Sequence, residues 1–385
     1  MTDGNHNLTI NATDFAGNSN SLAYVTVAVD NSGPIITFNS PDSKANISGT
    51  KTVNVTVTDA VTQVGSVSLT LVNGSGPIFN FTPIKSGNDY TTSLATTGFS
   101  DGSYNISVFA NDTVGKTTYS NQTITIDNKL PVIKVVNPLN NSFVNSGLQQ
   151  IIFNITDATS GIKTNSINSS TFKYTFSGFT FSVNSITFDS ITNGFFANGT
   201  VDLQNQEAKV NITITAQDHA GNSLSVFWTY TIDLLNPKVT NLSTNDTDGK
   251  VSNSTLLNIK VNVTNGAAGI TAVNISNSST VAMSLLSGDI WAANTTASAL
   301  GCTADGNCTI RVTAFDGAEN TNSSVATTLL VDSTKPRAFN ITVNDADRKV
   351  RSTDAIIINV TINDDQVSFF KNFQNPLKNF SFSSI

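Results

Sequence analysis

Aspartates are the side chains in this sequence whose type and spacing could do chemistry. One recurs at the same place in a repeated pattern, about 100 residues apart, at Asp14, Asp112, Asp218 and Asp316. Each is followed closely by a glycine, as a turn favours, because glycine tolerates positive φ and aspartate can bond its own backbone. Carboxylate and carbonyl oxygens are also the ligands that calcium prefers. Turn formation and calcium binding are therefore the two roles to weigh.

The turn aspartates lie in a stretch that appears four times. An Asp-Gly turn opens it, a run alternating apolar and polar residues follows, and a second strand ends at an aspartate shortly before a proline. Alternation of this kind predicts a half-buried strand, and a proline cannot donate to a ladder, so it opens a new edge strand. Three copies contain all of these parts, at Asp3–Pro34, Asp101–Pro131 and Asp305–Pro336. The copy at Val210–Pro237 lacks the opening Asp-Gly.

The spacing of the copies predicts the architecture. A period near 100 residues is too long for a solenoid repeat and fits a whole β-sandwich. We predict an all-β fold of tandem immunoglobulin-like domains, complete at 33–129, 130–235 and 236–334. Residues 1–32 are interpreted as the C-terminal part of a truncated domain, and 335–385 as the N-terminal part of another.

The composition supports this fold and excludes several functions. Only 12% of the residues are charged, and Glu207 and Glu319 are the two glutamates among 27 acidic residues. Strong helix formers are therefore few, while Thr, Val and Ile are plentiful. The net charge of −7 argues against nucleic acid or anionic lipid as a partner. No apolar run is long enough to span a membrane, and no signal peptide follows Met1.

The domain at 33–129 shows the sandwich pattern most clearly. Alternation places Val53, Val55 and Val57 in the core. Tyr104 follows an Asp-Gly turn, where sandwich domains often place a tyrosine whose hydroxyl bonds back to the loop. Seven strands are predicted, at Ile35–Asn39, Thr52–Thr58, Ser66–Val72, Ile78–Thr82, Tyr90–Thr96, Tyr104–Asn111 and Thr117–Ile126.

The domain at 130–235 is unusually rich in phenylalanine between Phe172 and Phe196. Aromatic residues at alternating positions predict core packing. A surface for a sugar or a protein partner is the alternative for the segment FSGFTFSV.

Cys302 and Cys308 are the only cysteines and flank a turn. With no nearby histidine they make poor metal ligands. We predict a disulfide that clamps a hairpin, which implies an oxidising compartment.

The repeat frame DG-x-Y-x-I-x-V-x-A-x-D-x-x-G-N, followed by a strand, Asp and Pro, resembles bacterial and archaeal immunoglobulin-like repeats. The segment NITDATSGI at Asn154–Ile162 is also typical of them. Such repeats occur in large surface adhesins, cell-wall proteins and S-layer-type glycoproteins. The resemblance extends to about Asp365 and implies a fold and a surface location, but no activity, because such modules serve many functions.

In an immunoglobulin-like sandwich, the three positions at which these aspartates recur meet at the joint between consecutive domains. The last strand of one domain ends near the next domain's top, where the loops after its second strand and between its last two strands also lie. We expect one joint to gather Asp30, Asp59 and Asp112 and the next to gather Asp127, Asp157 and Asp218. At the third, Asn265 replaces the middle acid between Asp233 and Asp316. The sequence therefore suggests calcium at the joints, with turn capping as the alternative.

About two dozen Asn-x-Ser/Thr sequons occur, roughly twice the number expected by chance. Asn is a poor strand residue, so its repeated choice favours N-glycosylation. Alternation of Asn and Thr on an outward strand face, or AT-rich coding bias, would also produce sequons. The predicted glycosylation sites are Asn7, Asn11, Asn46, Asn54, Asn105, Asn111, Asn154, Asn211, Asn262 and Asn359.

Catalysis has little support. The two histidines, His6 and His219, both lie beside turns, and no nucleophile–base constellation or phosphate loop recurs. We predict that the chain is not an enzyme and binds no cofactor apart from calcium.

The sequence therefore predicts a structural spacer of a prokaryotic, and more specifically archaeal, cell-surface glycoprotein, S-layer-like or part of an adhesin stalk. Its partners would be neighbouring copies or other surface components, in an extracellular location. The alternatives are an accessory repeat region of a secreted hydrolase and a carbohydrate- or protein-binding adhesin. No function is assigned to residues 366–385.

Overall fold

The computed structural model describes residues 1–20, 24–343, 349 and 358–363. The segment 366–385 and the end of the resemblance at Asp365 lie outside the described residues. Strand accounts for 62% of the structure and helix for 3%, so the all-β prediction is confirmed. In the part of the chain that is described, no helix is long and apolar enough to cross a membrane.

The chain divides into two compact units. One holds Met1–Ser142 and Gly147–Tyr230, and the other holds Phe143–Ser146 and Thr231–Ile385. This division does not test the predicted domain boundaries, which stay a prediction.

The first unit begins with a hairpin. Strands β1 (Gly4–Thr9) and β4 (Tyr24–Val29) pair antiparallel, and the short strands β2 (Ala12–Thr13) and β3 (Ser19–Asn20) pair with each other.

The first sandwich follows in the same unit. It has a four-stranded sheet in the order β10-β11-β7-β5 and a five-stranded sheet in the order β6-β13-β12-β8-β9. Its strands are β5 (Ile35–Ser40), β6 (Asn46–Ile47), β7 (Thr50–Thr58), β8 (Val64–Asn73), β9 (Gly76–Asn80), β10 (Ile84–Ser86), β11 (Asp89–Ala95), β12 (Gly102–Asp112) and β13 (Thr117–Ile126). All seven predicted strands are present, with ends that differ by a few residues.

The second sandwich repeats the layout, with sheets in the orders β14-β16-β20-β19 and β15-β22-β21-β17-β18. Its strands are β14 (Val132–Asn137), β15 (Ser142–Val144), β16 (Leu148–Thr156), β17 (Phe172–Phe176), β18 (Phe179–Ser182), β19 (Asn184–Ile191), β20 (Gly194–Asp202), β21 (Ala208–Gln217) and β22 (Ser223–Ile232).

The second unit contains the third sandwich. Its sheets have the orders β23-β25-β29-β28 and β24-β32-β30-β26-β27, and β31 pairs with β30. The strands are β23 (Lys238–Thr244), β24 (Lys250–Val251), β25 (Leu256–Thr264), β26 (Ile270–Ser276), β27 (Thr280–Ala282), β28 (Ser284–Ser287), β29 (Ile290–Thr296), β30 (Gly306–Asp316), β31 (Thr321–Asn322) and β32 (Ala326–Val331). Strands β33 (Arg337–Val343) and β34 (Ile358–Asn363) pair beyond it. Within the described ranges, the helical residues form three 3₁₀ turns, at Thr96–Gly98, Thr164–Ser166 and Ser298–Leu300.

Period-two alternation builds each core. Val53, Val55 and Val57 are fully buried, as predicted, and pack with Ile106 and Val108 of the facing sheet. Fully burying each such side chain contributes roughly 1.5–3 kcal/mol.

Tyr104 ties the start of β12 to the loop before it. Its hydroxyl donates to the carbonyl oxygen of Ser100 at 2.7 Å, which confirms the predicted tyrosine contact. The ring itself is buried.

The core prediction for the phenylalanine-rich segment is correct for Phe172, which is fully buried, and wrong for Phe179 and Phe181. Phe179 is 69% exposed and Phe181 43% exposed, because β18 is an edge strand whose face no other sheet covers. Phe181 stacks on Tyr174 with ring centroids 5.2 Å apart.

Candidate metal centres at the ends of the sandwiches

The turns after β12, β21 and β30 share one hydrogen-bonding pattern. The backbone N–H of each turn aspartate donates to the carbonyl four residues later, as Asp112 does to Lys116 at 3.0 Å. In return, Oδ1 of Asp112 accepts from the N–H groups of Val114 and Lys116, both at 2.9 Å. The turn role of these aspartates therefore uses Oδ1 and leaves Oδ2 for other contacts.

The first cluster gathers Asp30, Asp59 and Asp112. Asp30 follows β4, Asp59 follows β7, and Asp112 ends β12. One carboxylate oxygen from each lies within 4.8 Å of the other two. Thr62 joins two of them, because its hydroxyl donates to Asp30 Oδ2 at 2.7 Å and lies 3.2 Å from Asp59 Oδ1.

The second cluster is the equivalent set one repeat later. Asp127 follows β13, Asp157 follows β16, and Asp218 follows β21. Their carboxylate oxygens also lie within 4.8 Å of one another, and all three side chains are buried. The backbone N–H of Ser160 donates to Asp127 Oδ2 at 3.1 Å and to Asp157 Oδ1 at 2.8 Å.

Burial and neighbouring negative charges both raise the pKa of Asp127. Its pKa is raised mainly by desolvation, and the carboxylates of Asp157 and Asp218 raise it further, against hydrogen bonds from Ser160 and Lys129 that lower it. Burial also pushes up the pKa of Asp59, but hydrogen bonds from Val61 and Thr62 outweigh it, so the pKa of Asp59 is lowered. The second cluster therefore carries an unfavourable concentration of negative charge, as close carboxylates do.

The residue that ends each turn differs in the first sandwich. Asn222 and Asn320 donate from their side-chain amides to Oδ2 of the turn aspartate, at 2.7 Å and 3.0 Å. Lys116 stands at that position after β12 and has no such amide. Asp112 is only 2% exposed and consequently keeps a buried Oδ2 with no hydrogen-bond partner, on a carboxylate that belongs to the first cluster.

The third cluster has two acids. Asp233 follows β22 and Asp316 ends β30, while Asn265 follows β25 at the place of Asp59 and Asp157. The Asn265 side-chain amide donates to Asp316 Oδ2 at 3.0 Å.

The first two clusters have the donor set of a hard cation. Three carboxylates supply oxygen ligands of the kind that calcium takes in sites of six to eight oxygens. Among the described residues, no basic side chain forms an ion pair with any of these six aspartates; the ion pair seen joins Lys129 to Asp101 at 3.3 Å. Metal binding itself stays a prediction.

The cysteines and the histidines make contacts of other kinds. Cys302 and Cys308 are both buried and joined by a disulfide with Cα atoms 5.8 Å apart. His6 contacts the carbonyl of Thr2, and the His219 backbone bonds to Gly161, with no nucleophile beside either ring among the described contacts.

The sequon asparagines divide by exposure. Asn7 and Asn11 are exposed, whereas the predicted sites from Asn46 to Asn262 are half-buried. Two of these, Asn54 and Asn154, have a buried Oδ1. The side chain of Asn359 lies outside the described residues. Glycosylation stays a prediction.

Two kinds of functional contact were not foreseen from the sequence. The Asn222 amide also donates to the backbone carbonyl of Asp127, and Asn320 does the same for Asp233. The backbone N–H groups of Ser160 and Ala268 bind the linker aspartates. The asparagine that recurs four residues after the turn aspartate, at Asn18, Asn222 and Asn320, was a signal for the first, whereas backbone donors leave no trace in residue type.

Comparison with known proteins agrees with the repeat pattern. Residues 1–77 and 88–173 match the family model of the bacterial Ig-like domain (group 3). The predicted resemblance to bacterial immunoglobulin-like repeats is thus confirmed over these two consecutive segments. No curated protein matches the chain.

Solved structures to which the chain is similar include repeats of large adhesion proteins. A tetra-tandem repeat from the extending region of a large adhesion protein is 19% identical, with 86% of this chain and 81% of that chain covered and a TM-score of 0.28. A structure from a 1.5-MDa bacterial ice-binding adhesin is 20% identical, with coverage of 79% and 99% and a TM-score of 0.29. The fibronectin(III)-like modules of Clostridium thermocellum CbhA are 19% identical, with coverage of 51% and 93% and a TM-score of 0.27.

Proposed function

We propose that this chain is a non-enzymatic spacer segment of a prokaryotic cell-surface protein, with consecutive sandwiches stiffened by calcium at their joints. More specifically, the cell-surface protein would be an archaeal, glycosylated protein of an S-layer or an adhesin stalk. The repeat match and the all-β architecture support a structural role. The frequency of sequons supports the glycans.

The observation that carries the proposal is the origin of the three acids in each cluster of the first unit. One acid comes from the linker after a last strand, and two come from the loops of the next sandwich. A cation bound by all three would fix the linker to the sandwich that follows it. Without a cation, two unit charges 4 Å apart repel by about 4 kcal/mol at an effective dielectric constant of about 20.

The unpartnered Oδ2 of Asp112 supports a ligand in the first cluster. Leaving a buried acceptor without a partner costs roughly 1–3 kcal/mol, and more for a charged group. A calcium ion would supply the missing contact and offset the repulsion of Asp30 and Asp59.

Calorimetric unfolding of the full chain tests the calcium sites. In about 10 mM calcium the melting temperature should rise relative to chelator, because a ligand that binds only the folded state stabilises it. Asp157→Asn should reduce the rise, and the control Asp42→Asn, outside the clusters, should leave it unchanged. An identical melting temperature with calcium and with chelator would contradict calcium binding.

Trypsin tests the stiffening of one linker directly. Lys129 lies between Asp127 and Pro131, and its side chain is 78% exposed. Calcium should slow cleavage after Lys129 without slowing cleavage after Lys260, which is exposed in the middle of β25 and belongs to neither of the first two clusters. Equal cleavage after Lys129 in calcium and in chelator would show that the linker is not fixed by the metal.

The mass of the protein from its native host tests the glycan assignment. It should exceed the 40.6 kDa of the chain by many sugar units, located by peptide mapping on the sequons. An unmodified mass would leave strand alternation and coding bias as the explanation for the sequons.

A binding adhesin is the second candidate, supported by the exposed Phe179 and Phe181 on edge strand β18. Exposed aromatic rings form contact surfaces in many complexes. Phe179→Ala should then abolish retention on the bound glycan or protein surface, whereas Phe109→Ala, at another exposed phenylalanine, should not. Retention unchanged by Phe179→Ala would dismiss this candidate.

A further inference from the structure

The third cluster differs from the other two at one residue. Asn265 stands where Asp59 and Asp157 stand, so the cluster carries two carboxylates in place of three. The substitution removes one negative charge and adds an N–H donor.

Hydrogen bonds from the protein satisfy both acids of this cluster. Asp233 Oδ1 accepts from the Leu235 N–H at 3.1 Å, and Oδ2 accepts from the Ala268 N–H at 2.8 Å. Asp316 Oδ1 accepts from the backbone N–H groups of Ala318 and Asn320, each at 2.9 Å. All these carboxylate oxygens except Asp316 Oδ2 are therefore used by backbone donors.

Asp316 Oδ2 is used by two amides. Asn320 Nδ2 and Asn265 Nδ2 both lie 3.0 Å from it. Asn265 thus places a donor where Asp59 and Asp157 place a charged oxygen in their own clusters.

The orientation of the Asn265 amide is decided by this contact. With Nδ2 on Asp316, Oδ1 is buried without a hydrogen-bond partner. Turning the amide to offer Oδ1 to a cation would break the Nδ2–Asp316 bond and bring two acceptors together. In this orientation Asn265 directs a donor, and not a ligand oxygen, at the Asp316 carboxylate.

We propose that Asn265 determines the metal requirement of its cluster, so that an amide–carboxylate hydrogen bond replaces the divalent cation there. This rests on calcium binding by the other two clusters. The first and second clusters then need calcium for their stability, whereas the third is stabilised by hydrogen bonds alone. Loss of calcium therefore destabilises the first two clusters and leaves the third unchanged.

Hydrogen exchange of the full chain, read by mass spectrometry peptide by peptide, tests the proposal. In about 10 mM calcium, exchange around Asp157 and Asp218 should slow by about tenfold or more, since extracellular calcium modules have Kd of roughly 10⁻⁴–10⁻³ M. Exchange around Asn265 and Asp316 should not change with calcium.

Two reciprocal variants complete the test. Asn265→Asp should gain calcium-dependent protection around residue 265, and Asp157→Asn should lose it around residue 157 while remaining folded in chelator. The matched control Asn294→Asp, on β29 of the third sandwich, should gain none.

The outcomes separate the two proposals. Calcium protection around Asn265 in the wild-type chain, or no gain in folded Asn265→Asp while the second cluster responds, would overturn the role of Asn265 alone. No calcium protection around any of the clusters would overturn both proposals.

Discussion

The side-chain amide of Asn222 donates a hydrogen bond to the backbone carbonyl of Asp127 at 2.9 Å, across 95 positions of sequence. The same amide donates to Asp218 Oδ2 at 2.7 Å. One side chain therefore joins a linker to the turn of the sandwich that follows. Asn320 makes the equivalent contacts to Asp233 and Asp316.

Asn222→Ala should destabilise the first unit by about 1–3 kcal/mol, because it leaves a partly buried carbonyl and a buried carboxylate without their donor. Urea unfolding in chelator measures the change. Asn198→Ala is the control, since Asn198 Nδ2 bonds only the exposed carboxylate of Asp189. A loss no larger than that of the control would show that the amide does not hold the linker.

Lys116→Asn should stabilise the first unit by about 1 kcal/mol in chelator, because the new amide can donate to the unpartnered Asp112 Oδ2. It should also reduce the stabilisation that calcium provides, since the amide occupies an oxygen available to the metal. Urea unfolding with and without calcium gives both values. Lys51→Asn removes the same charge on β7 without supplying this donor, and equal effects of the two variants would refute the explanation.

The Cys302–Cys308 disulfide should contribute about 2 kcal/mol to the second unit, because it closes a short loop with a sequence separation of 6. Cys302→Ser with Cys308→Ser should lower the unfolding free energy by that amount. In secreted material neither cysteine should react with an alkylating agent until it is reduced. Free thiols there would show that the bond does not form in the native compartment.

Protonation of Asp305 should make the stability of the fold depend on pH in the acid range. Hydrogen bonds from the Thr334 hydroxyl and the Ser333 backbone hold its pKa below the ordinary value of 3.8. A lowered folded pKa stabilises the fold above the ordinary value, and this contribution is lost as pH falls through the folded pKa.

The Asp305→Asn variant should therefore be less stable than the wild type above about pH 4, and the difference should shrink below it. Thermal unfolding of both chains from about pH 6 to about pH 2 measures it. A difference that stays constant over this range would exclude the hydrogen-bonded carboxylate as its source.

Much of the fold could be predicted because period-two alternation records which residues share a strand face. Val53, Val55 and Val57 alternate with polar neighbours, and the cysteines flank one short turn, so these features are local. Tyr104 could be placed because its position after Asp-Gly determines which loop its hydroxyl reaches.

Whether a face is covered is not local. Phe179 and Phe181 have the alternation of core residues, yet β18 lies at a sheet edge and leaves them exposed. Alternation of apolar and polar residues indicates that the two faces of a strand differ. Whether the apolar face is covered by another sheet depends on tertiary packing.

The sequence by itself determined that aspartates recur at the turns and linkers, because each repeat encodes them. The sandwich topology also predicted that these acids gather at the joints, but only the tertiary structure shows that carboxylate oxygens from three separate segments lie within 4.8 Å of one another. It also decided that Asp112 keeps a free Oδ2 while Asp316 is satisfied by amides. The physical reason is that charge repulsion and hydrogen-bond satisfaction depend on distances of a few ångströms between residues far apart in the chain.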